Sequence, residues 1–535
     1  MSSIMREDWV ECELGEVCNF VGGGTPSKSN SEYWNGDIPW ASIKDIKGDY
    51  LEKTQNFITE SGLKESASNM ALENEIILAT RINPGKPIIS RIKTAINQDL
   101  KIVKHSSFVD IKFLFFNFKN LEKKVLKLSS GTTVLGINLN NLSSLEFPLA
   151  PLPIQRAIVS KIEALFSDLD NGIANFKKAQ AQLKIYRQAV LKKAFEGELT
   201  KEWRVKTQSL ASQGKAEPLP TAQELLKQIK EERQNHYNQQ VDDWKKAVKE
   251  WEKNGKKGSK PSKPKKFIEL SQLTENEINE KPKLPTGWKW ERIGNNFLSL
   301  DQGWSPKCEN LPAQIGEWGV IKTTAVQANS FEEINNKKLP SKLIPRIQHE
   351  LIKGDILITR AGPRSRVGVC CLVNNVRSKL INCDKVYRIK AIVTNPTYLV
   401  YLLNSPEFSR ELEKTKSGIS DSGVNLKQDI FLKLIIPLCS LTEQHQIVAE
   451  IESRLSVCDN LEFVIRNSIE KAEALRQSIL KKAFEGRLLS EAEVNACKAA
   501  ADYEPASELL IKILAERVTT QCIASHSHSK KKSKE

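Results

Sequence analysis

From Ile158 to Val190 apolar or small residues recur at alternating steps of four and three: Ile158, Ile162, Leu165, Leu169, Gly172, Phe176, Ala179, Leu183, Tyr186 and Val190. The same register returns at Ile447, Ile451, Arg454, Cys458, Leu461, Ile465, Ser468, Ala472, Leu475 and Ile479, interrupted at Arg454 and Ser468. Such a stripe is the a/d seam of a coiled coil. No proline falls between Ile154 and Glu198 or between Leu441 and Leu488. Each stripe therefore predicts one helix of about 40 residues, about 60 Å long at 1.5 Å per residue. Gly197 and Gly486 stand where the helix C-termini are expected. The seam residues Ile158, Ile162, Leu165, Leu169, Phe176 and Leu183 are expected to bury against Ile447, Ile451, Leu461, Ile465, Leu475 and Ile479 in an antiparallel pair. The alternative is that each helix packs only on its own globular domain.

Ahead of each stripe the pattern changes to short β-branched and aromatic runs punctuated by Gly, Pro and Asn. DIPWASI, NEIILATR and PIISRI occupy the first half; WGVIKTT, DILITR and RVGVCCLV occupy the second. With helical stretches such as FVDIKFLFFNFKNLEKKVL between them, they predict compact α/β (α+β) domains.

The chain is written twice. LKKAFEGEL (191–199) returns as LKKAFEGRL (480–488), and from Pro148 and Pro437 onward the two copies align without a gap to Gly197 and Gly486. Trp9, Gly15 and ILATR (77–81) match Trp288, Gly294 and ILITR (356–360), and SGTTVLGINL matches SGISDSGVNL. An internal duplication of this length sets the domain order. The expected segments are a globular domain at 1–147, a long helix at 148–198 and a lysine-rich linker at 199–285 with a helix over Ala222–Trp251. A second globular domain at 286–436, a second long helix at 437–488, and a helical segment with a disordered basic tail at 489–535 complete them. Trp244 and Trp251, seven apart on the linker helix, imply docking against the coiled coil, another subunit or DNA.

Charge adds a partner class. Lys and Arg number 80 against 65 Asp and Glu, a surplus of 15 that favours a polyanion. No apolar run approaches the length of a membrane span, and the stretch MSSIMREDWVEC lacks a signal-peptide core. A cytoplasmic setting with no membrane partner is expected. The ten cysteines include no CxxC, and no metal site is expected.

No stretch of the sequence carries a catalytic motif. VGGGTPSK (21–28) fits neither a P-loop nor a dinucleotide fingerprint and reads as a glycine turn leaving the first strand. NPTY (395–398) has VDIK at its matched position and reads as a helix start. No GxSxG or HExxH occurs. No catalytic residue is assigned, and the chain is expected to catalyse nothing by itself.

Two unlike globular domains, each followed by Pro-Leu-x-x-Leu-x-x-Gln and Ile-Val-x-x-Ile-Glu (148–163 and 437–452) and then a helix ending in KKAFEG, resemble the specificity subunit of type I restriction–modification systems. LTKEWR (199–204) and LPTGWKWERIG (284–294) resemble the stretches that border that family's central linker. The resemblance implies two target-recognition domains that each read one half of a gapped, asymmetric site in double-stranded DNA. It implies an antiparallel coiled coil with pseudo-twofold symmetry that sets the gap and docks two modification (methyltransferase) subunits, which restriction (endonuclease and translocase) subunits then join. S-adenosylmethionine, ATP and Mg²⁺ then belong to partners, with no cofactor in this chain. Two alternatives remain: the DNA-recognition part of another restriction or methylation assembly, and a non-DNA coiled-coil adaptor with duplicated binding domains.

Candidate DNA-binding residues follow from matched loops and strand ends. They are Thr25, Ser27, Lys28, Arg81, Lys86 and Arg91 in the first half, and Ser305, Lys307, Arg360, Arg364 and Arg366 in the second. Arginine is the commonest reader of guanine, which singles out Arg364 and Arg366.

Overall fold

The computed structural model describes residues 6–131, 134–267, 269–418 and 420–518. The basic tail with His526 and His528 lies outside the described residues, as do Thr132, Thr133 and Ile419 of the matched loops. The chain forms two compact units, one of Met1–Lys178 with Ile465–Glu535 and the other of Ala179–Val464.

In the first unit a five-stranded sheet runs in the order Cys18–Gly22, Leu100–His105, Ile76–Ala79, Pro87–Ser90, Tyr50–Leu51. Its first four strands are antiparallel. A second sheet orders Asn56–Ile58, Trp34–Ala41, Thr94–Ile96, Asn69–Ala71. Every residue of Ile76–Ala79 and Pro87–Ser90 is buried, which explains their unbroken apolar runs. The helix Ile111–Leu128 opens on Asp110, whose carboxylate accepts the Lys112 and Phe113 N–H groups, and buries Phe113, Leu114, Leu121 and Val125. Val10–Glu13 pairs with Glu146–Leu149, a strand that spans the expected boundary after residue 147.

The second unit repeats this order. Phe297–Gln302, Val386–Ala391, Ile356–Thr359 and Cys370–Leu372 form an antiparallel sheet, beside Asn336–Lys338, Gly319–Ile321 and Leu380–Ile381. Lys289–Arg292 pairs with Ile435–Leu438. Largely antiparallel sheets with helices set apart from them make both units α+β.

The motif glutamines explain how each long helix is fixed at its start. Gln155 and Gln444 are fully buried. Gln155 Oε1 accepts the Asp110 N–H at 2.7 Å while its amide donates to Ala150 O at 2.8 Å. Gln444 does the same for Asn395 N–H (2.9 Å) and Cys439 O (3.1 Å). Asn395 caps the helix Pro396–Leu403, so NPTY is a helix start.

The long helices are Leu152–Phe195 and Leu441–Phe484, 44 residues each. In the first, Ile158 and Ile162 are buried, and Leu165, Leu169, Phe176 and Leu183 are half-buried. In the second, Ile447, Ile451, Ile465 and Ile479 are buried, but Leu461 and Leu475 are 47% and 48% exposed. The seam assignment for those two leucines is corrected. The inward strip passes through Leu455, Cys458, Glu462, Ile465, Ile469, Ala472, Arg476 and Ile479, one residue later at every second position. The cause is ionic. Arg187 donates to Asp459 (2.6 Å) and Glu462 (3.0 Å), while Arg476 pairs with Asp170 and covers the Phe166 ring at 4.8 Å. An arginine lying on an aromatic face buries its stem as an apolar residue does.

The KKAFEG ends dock into globular cores. Phe484 meets Phe113 of the first unit at 5.1 Å between ring centroids, and Phe195 meets Tyr398 of the second at 5.4 Å. Gly197 and Gly486 then take positive φ (+78° and +69°), and a Cβ at Gly197 would stand 2.4 Å from Pro285.

The linker holds the helices Lys201–Ser212 and Ala222–Lys253. Ala222, Leu225 and Ile229 bury against Leu438, and Arg233 donates to Gly294 O (2.7 Å) and Phe297 O (3.0 Å). Burial lowers the Arg233 pKa to about 10. Trp244 and Trp251 dock on the linker's own return, donating to Pro261 O (2.9 Å) and Gly258 O (3.0 Å).

Candidate nucleic-acid interface

Strand ends and a glycine turn build one corner in each unit. In the first, Cys18–Gly22 leads into Gly23 and Gly24, which press against the neighbouring backbone. A Cβ on Gly23 would fall 2.3 Å from Ile96 O, and one on Gly24 2.6 Å from the Ala67 carbonyl carbon. Close approach of backbone, not turn geometry alone, therefore requires these glycines. The turn sets Thr25 against Gln98, whose side-chain oxygen accepts its hydroxyl. Arg81, at the end of Ile76–Ala79, pairs with Asp99 at 3.5 Å and keeps 55% of its side chain exposed.

Thr25, Gln98 and Asp99 line an open hollow with Lys28, Trp34, Trp40, Lys44, Asn56 and Asn97, and Arg81 adjoins it through its Asp99 pair. The tryptophans meet edge-on at 5.2 Å, and the Trp40 N–H is spent on Gly24 O at 3.1 Å. Lys28 and Lys44 are exposed on the rim. Exposed lysines can hold phosphates, while Asn and Gln amides and an arginine fork match base edges. Ser27 stays on the turn itself, with its hydroxyl on Ser29 at 2.8 Å and its carbonyl accepting the Trp34 N–H.

In the second unit Gly303 occupies the same place: a Cβ there would fall 2.0 Å from Asn382 O. Ser305 donates to the Asp384 carboxylate, and the Asp384 N–H donates back at 3.1 Å. Arg360 ends the matched strand and donates to Gln302 Oε1 (2.9 Å) and Asp384 O (3.1 Å), with its guanidinium 5.4 Å from the Tyr387 ring centroid. Lys307 is exposed on the turn, and Arg346 lies over Trp304 at 4.5 Å.

The remaining candidates lie elsewhere. Lys86 donates to Ile46 O at 3.3 Å, and Arg91 sits over Tyr50 at 4.2 Å while donating to Asn74. Arg91 follows Pro87–Ser90 at the end of the strand pair opposite Arg81. Arg364 is clamped by Glu413 (2.5 Å) and Asp421 (2.9 Å). Arg366 donates to Gln327 Oε1 (2.9 Å), Thr323 O (2.8 Å) and Val326 O (2.6 Å). These three bonds, from both terminal nitrogens, make Arg366 a brace between loops rather than a free fork. Asp99 and Asp384, the acidic partners at the two corners, are not among the residues expected from sequence. Their signal was visible: Asn97-Gln98-Asp99 and Asn382-Cys383-Asp384 both precede the matched strands that begin at Leu100 and Val386.

Residues 6–177 match the family model described as type I restriction modification DNA specificity domain. The chain is 40% identical over 210 residues to the type I restriction enzyme EcoEI specificity subunit of Escherichia coli, a match spanning 38% of this chain and 35% of that protein. It is 23% identical over 526 residues to the EcoBI specificity subunit of Escherichia coli, spanning 96% of this chain and 94% of that protein. A solved chain from work on complex assembly and conformational transition of the type I R-M system superposes with a TM-score of 0.57 at 18% identity. That match covers 90% of this chain and 99% of the other, and is a likeness of fold.

Proposed function

We propose that this chain, similar to type I restriction–modification specificity subunits, reads an asymmetric, bipartite, gapped target in double-stranded DNA for partner subunits that carry the chemistry. The observation that carries the reading is the repeated corner: Thr25, Arg81 and Asp99 in one unit, Ser305, Arg360 and Asp384 in the other. A common scaffold with different side chains around it suits two half-sites of different sequence. An open hollow rimmed by lysines and backed by aromatic rings suits a duplex better than a small enclosed ligand.

The two long helices act in this proposal as an antiparallel coiled-coil ruler with pseudo-twofold symmetry. The ion pairs Asp170–Arg476 and Arg187–Asp459 support that pairing, since partner numbers fall along one helix as they rise along the other. Two modification subunits dock on the ruler and restriction subunits join them, with S-adenosylmethionine, ATP and Mg²⁺ held by those partners. The chain itself is non-catalytic and directs the methylation and cleavage of its partners in the cytoplasm. Among the described residues no helix is long and apolar enough to cross a membrane.

The test lengthens the ruler. Four helical residues inserted after Leu183, matched by four after Glu462, should lengthen the spacer of the methylated motif and leave both half-sites unchanged. Methylation-sensitive sequencing of host DNA reads the outcome. Unchanged spacing would remove the ruler from the proposal, and loss of all salt-dependent DNA binding by the assembled complex would remove DNA itself.

A further inference from the structure

The distal half of the linker helix and its return form a basic arm. Between Asp242 and Lys266 ten lysines face four carboxylates, a surplus of six out of the chain's 15. All ten are exposed. Lys245 and Lys246 pair with Asp242 and Asp243, but among the described residues the other eight, from Lys249 to Lys266, have no carboxylate partner. The arm is a built element, because Trp244 and Trp251 pin the return segment to the helix through their N–H groups.

We infer that this arm is a sequence-independent binding surface for the phosphates of duplex DNA outside the half-sites. The inference rests on the reading that this chain binds DNA. Lys245, Lys249 and Lys253 stand four apart, about 6 Å per step at the helical rise. That matches about two phosphates of one strand at 3.4 Å each. The arm is rooted by Arg233 at Phe297, where the strand Phe297–Gln302 begins, whereas Arg360 meets Gln302 at its far end. Five residue steps separate these points, about 17 Å at 3.3 Å per residue, so the arm springs from the end of the strand away from the corner.

The composition favours nucleic acid over an acidic protein. Residues 234–266 contain no arginine, and both tryptophans are used internally. Protein interfaces draw on Arg, Trp and Tyr and are poor in lysine. Lysine is a point charge without a fork, suited to phosphate and not to base edges.

The experiment titrates salt against binding of the full chain to a random-sequence duplex. The variant carries Lys249→Gln, Lys253→Gln, Lys256→Gln, Lys257→Gln and Lys260→Gln, and its control carries Arg at the same positions. The slope of log affinity against log salt should become shallower by about 0.9 for each lysine that meets a phosphate, about 2 to 4 units in all, with the Arg control unchanged. Base preference should not move. If the unmodified chain binds duplex and the Gln variant keeps its slope, the arm proposal fails alone. If the unmodified chain binds no duplex either alone or co-purified with its methyltransferase, the DNA reading fails with it. A variant that keeps its slope but no longer co-purifies with the methyltransferase overturns the proposal in favour of a protein partner.

Discussion

The Phe484 ring lies 5.1 Å from the Phe113 ring, so the end of the second long helix is built into the core of the first globular unit. Phe195 completes the reciprocal arrangement against Tyr398. Each KKAFEG end finishes its helix in the globular domain of the opposite repeat. Phe484→Ala should cost about 3–5 kcal/mol in the first unit, as large aromatic truncations in cores do. Urea denaturation with hydrogen exchange by segment checks it. Loss of protection should concentrate at 111–128, and at 396–403 for Phe195→Ala.

Gln155 and Gln444 tie each long helix to the start of a domain helix. Truncating either to Ala leaves a part-buried N–H and a buried carbonyl unpaired, a loss of about 1–3 kcal/mol for the buried group and less for the other. Equilibrium denaturation of each single variant reads the loss.

Arg81 and Arg366 should separate reading from bracing. Arg81→Ala should relax base preference in one half-site by about 1–3 kcal/mol of discrimination while melting stays near that of the parent. Arg366→Ala should lower stability, because three part-buried acceptors lose their donor. Motif sequencing and thermal melts on the same pair of variants decide it. An Arg366→Ala protein of parental stability with a relaxed motif would return Arg366 to the readers.

Glu493 gives a pH signature. The Lys161 ammonium, followed by the Ser490 N–H and hydroxyl, lowers its pKa to about 2. A carboxylate lowered in the folded state adds stability that is fully present above the ordinary carboxylate range. It is lost as pH falls through about 4.5 toward 2. Protection of the helix Glu491–Lys498 should fall across that window, and Lys161→Met should flatten the fall.

The two long helices were readable because heptad spacing and freedom from proline are local properties. The duplicated domains were readable because the repeat can be seen without knowing any contact. The site was readable in part. Arg81 and Arg360 were found as matched strand ends, and Asp99 and Asp384 were passed over because N-x-D is a short signal whose meaning comes from the strand opposite.

Sequence alone determined the helices, their glycine ends and the two-copy plan, since periodicity, capping and repetition need no third dimension. Tertiary structure alone decided which seam residues face inward. Leu461 and Leu475 are left exposed, while Arg476 lies over Phe166 beside Asp170 and Glu462 meets Arg187. It also decided which arginines are spent, because long-range hydrogen bonds hold Arg364 and Arg366 and leave Arg81 the more open. Which partner a flexible cation finds depends on residues far away in the chain, and no local pattern records it.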